Sequence, residues 1–131
     1  MKLKKVLYEL YDSEVQGILS QRERKSHNLD REIRLEGEAD KVIYIFWDDE
    51  RVQFCVGFDD NRRYQSDPES IIEVTQWPLW KGFIGKEITI KFVEPDNELI
   101  ELTDGSHWLY FWAGGEGGSD FLSVSIIPPK P

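Results

Sequence analysis

The chain has little of the residues that carry most protein chemistry. It contains one cysteine, Cys55, and two histidines, His27 and His107, among 131 residues. A single cysteine closes no internal disulfide, which fits a reducing compartment, and the chain is expected to be cytoplasmic. Two distant histidines and one cysteine fall short of a zinc-ligand pattern, so no metal is expected, and no cofactor. No apolar run approaches the roughly 18 residues of a membrane helix. The N-terminal "MKLKKVLYELYDSEVQG" starts with lysines, but Tyr8, Glu9 and Tyr11 interrupt the apolar core that a signal peptide needs. Positive charge is scarce as well: 16 Lys and Arg stand against 25 Asp and Glu, a formal net charge of -9. Nucleic-acid binding draws on phosphate neutralisation by basic residues, so this balance speaks against it and suits a basic protein partner.

What is present has the size and apolar content of a single domain spanning residues 1–131. Leu3, Val6, Leu7, Leu10 and Tyr11 recur at helical spacing and predict a short amphipathic N-terminal helix. "VQGILSQRER" and "REIRLEGEA" read as strands flanking a polar turn, "KSHN", which holds His27. "VIYIFW" is a β-branched and aromatic run. In "RVQFCVGF", Val52, Phe54, Val56 and Phe58 alternate with Gln53, Cys55 and Gly57, the two-residue period of a half-buried strand. The predicted fold is mainly β, with about seven to nine short antiparallel strands in a sheet, a sandwich or a partly open barrel, and α+β as the alternative.

The second half repeats this grammar. Val42, Tyr44 and Phe46 align with Ile88, Ile90 and Phe92, Phe58 with Leu102, and Ile72 and Val74 with Leu122 and Val124. The pattern predicts two similar β-meanders, 41–75 and 87–127, joined by an aromatic linker, 76–86. Within the linker, "QWPLWKGFIGK" places Pro78 at the first position of a short helical turn whose aromatic residues cap the sheet. Pro128 and Pro129 end the last strand, since neither donates to a ladder.

The glycine-rich "FWAGGEGGSDFLSVS" invites comparison with a phosphate cradle and fails it. Gly115 and Gly117 begin a dinucleotide spacing, but Asp120 stands where the third glycine belongs. No lysine lies between Lys91 and Lys130, the segment leads into a strand, and Glu116 and Asp120 repel phosphate. The expectation is an acidic connection between neighbouring strands. The carboxylates of "DDE" and "EPDNE" lack calcium-loop spacing and read as hairpin tips that keep edges soluble. Cys55 sits mid-strand as packing, and no nucleophile elbow accompanies His27 or His107, so no catalytic residue is assigned. In "HWLYFW", Trp108, Tyr110 and Trp112 share one face, while His107, Leu109 and Phe111 share the other. Core packing is the ordinary role of such a strand; if any face binds, this one beside the acidic glycine loop is the choice.

The acidic hairpins, the "WPLWKGFIGKEI" joint and the "LTDGSHWLYFW" strand together resemble, in style, the small acidic cytosolic proteins of bacterial genomes. These include immunity proteins of toxin systems. The resemblance implies a non-enzymatic protein that plugs a partner toxin's site with acidic loops. The leading expectation is therefore a non-catalytic protein-binding module for a basic partner. Asp48, Asp49, Glu50, Glu94, Asp96, Glu116 and Asp120 would steer association, and Trp108, Tyr110 or Trp112 would anchor it. The alternatives are a small-molecule binder or enzyme with a pocket beside His107 and the tryptophans, and a subunit of a larger assembly.

Overall fold

The first strand already departs from the helical expectation. In the computed structural model, which describes residues 1–29, 31–48, 55–61, 70–93, 98–114 and 122–128, the segment Leu3–Glu9 is an extended strand, β1. It pairs antiparallel with β3 (Glu32–Gly37) on one side and with β6 (Ile71–Glu73) on the other. A register shift between Leu3 and Lys5 lets Leu3 and Val6, three residues apart, both reach the core. Further on, Val6, Leu7, Tyr8 and Glu9 are buried in succession, so both faces are covered. A bulge followed by two-sided burial removes the alternation that marks a strand and leaves an accidental helical spacing.

Among the described residues, two five-stranded antiparallel sheets make up the fold, and neither closes into a barrel. The first has the order β5-β4-β3-β1-β6, with β4 at Val42–Asp48 and β5 at Cys55–Asp59. The second has the order β2-β10-β9-β8-β7. Its strands are Ser26–Leu29 (β2), Thr89–Phe92 (β7), Leu99–Thr103 (β8), Trp108–Ala113 (β9) and Leu122–Ser125 (β10). The mainly antiparallel β expectation is met, with two short helices, α1 (Val15–Leu19) and α2 (Pro78–Lys81). One continuous apolar core draws on both sheets: Tyr8, Ile33 and Ile45 from the first meet Leu102, Phe111 and Val124 from the second. Phe58 and Phe92 extend it across the layers, with ring centroids 5.2 Å apart.

Two local expectations are corrected. "VQGILSQRER" is not a strand: Val15–Leu19 forms α1, which buries only Ile18, and turns follow. "KSHN" is not a turn: residues 26–29 form β2, which pairs with β10 and buries His27 and Leu29. The Gln21 side chain fixes this geometry by accepting from the Asn28 amide at 2.8 Å and donating to the Asn28 carbonyl at 3.3 Å. A single polar side chain thus supplies the pairing that an edge strand lacks on its free side.

Residues 87–127 hold a four-strand meander, while among the described residues of 41–75 only β4 and β5 are sheet neighbours. β7, β8, β9 and β10 run consecutively, as do β3, β4 and β5. β10 continues its meander beside β9, whereas β6 crosses to the far side and pairs with β1. The aligned triplets also face opposite ways. Ile88, Ile90 and Phe92 join the core, while on β4 it is Ile43 and Ile45 that do so. Phe46 is nevertheless buried on the outer face, so composition alone does not reveal which face of β4 is the inner one.

The short helical turn expected at Pro78 is present. Pro78 occupies the first turn of α2, where its missing N–H costs nothing. Trp77, Leu79, Trp80 and Phe83 are all buried, and Trp80 packs on Phe111 with ring centroids 6.1 Å apart. Truncating a buried tryptophan typically costs about 3–5 kcal/mol, so this joint is a main support of the core.

Candidate functional site

β9 is the central strand of the second sheet, and its alternation decides what reaches solvent. Leu109 and Phe111 are fully buried in the core. Trp108, Tyr110 and Trp112 point the other way; Trp108 is 42% exposed and the other two are half-buried. Their cross-strand partners on β8 are Thr103, Glu101 and Leu99, so this outer face is mixed rather than uniformly apolar.

A groove of about 530 Å³ opens at the start of β9. One wall comes from α2 and the turn after it, with Leu79, Gly82 and Phe83. Trp108 and Tyr110 of β9 also line the groove, as do Ile126 and Pro128 beyond β10. The volume falls within the range of small-ligand sites, and the predominance of apolar and aromatic lining is their usual character. Ile126, Ile127 and Trp108 leave apolar surface in solvent around this region, with Ile127 64% exposed.

Three polar residues, Lys86, Ser106 and His107, also line the groove. They gather around Asp104 in the β8–β9 hairpin loop. Asp104 Oδ1 accepts from the Ser106 amide at 2.8 Å and the His107 amide at 2.7 Å. Its Oδ2 lies 3.4 Å from His107 Nδ1 and 3.5 Å from Lys86 Nζ. Gly105, with φ +95°, takes the left-handed conformation between them that a side chain resists. The Ser106 amide first, then the His107 amide, hold the Asp104 carboxyl far below the usual carboxylate range, with His107 and Lys86 adding to them. The carboxylate is engaged and only 3% exposed, while the Lys86 and His107 side chains stand half or more exposed. Phe83 meets the His107 ring edge-on, centroids 6.4 Å apart, which joins the apolar wall to the polar end. The result is a trough that hides its acceptor and presents its donors. Thr103 Oγ1 donates to the His107 carbonyl at 2.8 Å and accepts from the Gly105 amide at 2.9 Å, so with the Asp104 bonds the cluster braces the hairpin loop.

Behind this groove lies a buried polar chain that sequence reading missed. Trp80 Nε1–H donates to the Tyr8 hydroxyl at 2.7 Å, and the hydroxyl lies 2.7 Å from His27 Nδ1. All three residues are fully buried, and Trp77 stacks edge-on against both Tyr8 and His27. Burial holds the Tyr8 phenol well above its ordinary range, so the hydroxyl keeps its proton. Having accepted from Trp80, it donates to His27 Nδ1, which makes that nitrogen an acceptor and the imidazole neutral. Burial likewise lowers the His27 pKa to about 4, against an opposing pull from the backbone of Arg24, Gln21 and Arg22. The only signal in the sequence was an aromatic-rich joint; nothing there linked it to residues 8 and 27.

The residues proposed for binding are only partly brought together. Trp108 and Tyr110 line the groove, and Trp112 lies further along the same face. Asp48, expected to steer association, lies at the end of β4 beside Gly57 and is 6% exposed. Asp49, Glu50, Glu94, Asp96, Glu116 and Asp120 lie outside the described residues. Among the described residues no cluster of side chains offers a metal site, and no helix is long and apolar enough to cross a membrane. No protein-family model matches the chain, and neither a curated protein nor a solved structure matches it.

Proposed function

We propose that the protein is a non-catalytic binding module whose ligand site is the groove between α2 and the start of β9. The observation that carries this reading is the concave, largely apolar trough of about 530 Å³ walled by Leu79, Phe83, Trp108 and Tyr110. A Trp and a Tyr at its edge supply rigid apolar area with a polar tip, the residue types that carry binding energy in small sites. The nearby hydrogen bonds are those of a fixed hairpin loop, which supports a preformed site.

Gly82 offers a direct test. A Cβ at this position meets nothing within 4 Å, and its φ of -71° suits any residue. Gly82→Phe therefore fills the groove without straining the backbone. A ligand-observed NMR screen of small apolar compounds should find binders to the natural chain that Gly82→Phe loses. Gly17→Phe, at an equally open position on α1, should keep them. Binders retained by Gly82→Phe would place the site elsewhere.

A second reading, a protein-docking face, is favoured by the exposure of Ile126, Ile127 and Trp108 around the groove. In that reading the chain, with its net charge of -9, docks a basic partner such as a toxin, the tryptophan serving as anchor. Ile127→Asp would then weaken a partner complex and leave small-ligand binding unchanged.

A further inference from the structure

We infer that the groove takes a small amphiphilic monocarboxylate, an apolar tail bearing a single anionic head. The inference rests on the reading of the groove as the ligand site and adds the chemistry of what enters it. The tail is matched by Leu79, Phe83, Tyr110 and Ile126. The head is selected by an asymmetry around Asp104. That carboxylate is 3% exposed and receives two amides, so it is closed to a cationic head group. The Lys86 ammonium beside it is half-exposed; it has three donors, and one faces Asp104. An arriving carboxylate finds a charged donor at the apolar trough, whereas an arriving amine finds a like charge and a hidden acceptor. One ammonium without an arginine fork fits one negative charge better than a phosphate dianion. This local preference opposes the field of the whole chain, whose net charge of -9 attracts cations, so the two signs separate cleanly in an experiment.

The probes are octanoate, 1-octanol and octylammonium, equal in tail and different in head, titrated calorimetrically below micelle formation. Octanoate should bind about tenfold tighter than octanol, the scale of a partly exposed charge-assisted hydrogen bond, and octylammonium should bind most weakly. Lys86→Gln should bring octanoate down to the affinity of octanol and leave octanol where it was. The lysine side chain is half in solvent, so the variant keeps its fold, which a matching thermal unfolding curve verifies. Octylammonium equal to or tighter than octanoate, or octanoate unaffected by Lys86→Gln, overturns the inference. Equal binding of octanoate and octanol overturns it too, while the groove remains a ligand site. If none of the three binds and the chain self-associates through this face, the inference and the reading beneath it both fall.

Discussion

The Tyr8 hydroxyl and His27 Nδ1 lie 2.7 Å apart in a core shared by two sheets, one residue on β1 and the other on β2. Trp80 on α2 donates to the same hydroxyl, so one oxygen ties both layers to the helix that walls the groove. Intact, such a chain favours one packing arrangement; broken, it leaves further polar atoms unpaired in an apolar interior.

Tyr8→Phe removes only the oxygen. The Trp80 indole N–H and the His27 Nδ1 are then left buried without their partner. The variant should lose about 1–3 kcal/mol in urea unfolding with an unchanged m-value. A loss below about 0.5 kcal/mol would mean that the chain adds nothing to the packing around it.

His27 makes stability depend on pH. Its folded pKa of about 4 lies below the ordinary value of 6.5, so between these the unfolded chain binds the extra proton. Stability is therefore complete above about pH 6.5 and falls as pH drops toward 4, by on the order of 3 kcal/mol. Urea unfolding at intervals from pH 7.5 to 4.5 measures the slope. His27→Gln should flatten it in this window; an unchanged slope would assign the pH dependence to other groups.

The β3–β4 turn carries strain that a substitution relieves. Ala39 and Asp40 have φ of 58° and 59°, the left-handed pair of a type I′ hairpin, and both are exposed. Neither residue is favoured there, while Asn-Gly is. Ala39→Asn with Asp40→Gly should stabilise the protein by roughly 1 kcal/mol, read as a rise in melting temperature. A fall would show that the turn geometry is otherwise.

Gly57 on β5 faces the buried Phe46 ring. A Cβ there would sit 2.7 Å from Phe46 Cε2 and 2.9 Å from Cζ. With Phe46 only 3% exposed, the ring has little room to retreat. Gly57→Ala should cost about 1–3 kcal/mol by overpacking, whereas alanine at Gly17, in the open, should not destabilise. Equal stabilities of the two variants would contradict this packing.

Legibility in the sequence tracked how one-sided each element is. β9 was readable because its two faces differ in fate although both are apolar, and α2 because Pro78 and the flanking tryptophans mark a joint. β1 was misread because a bulge and two-sided burial cancel its period. β2 was misread because "SHNL" opens with three consecutive polar residues and shows no alternation, and its burial comes from β10 and Trp77, which are distant in sequence. The groove was half legible: His107 and the tryptophans were named, but Lys86, Gly82 and Phe83 arrive from the linker through tertiary packing. Sequence spacing carries no information about that approach.

Entry of small amphiphiles between α2 and β9 is read out by mapping octanoate on the ¹⁵N-labelled protein by NMR. The Trp108 indole signal and the amides of Gly82, Phe83, Lys86, His107 and Tyr110 should move together with one midpoint. The Trp80 indole, held by Tyr8 in the core, should stay in place. Saturating octanoate that leaves these amides unmoved, or shifts centred on another face, would contradict the account.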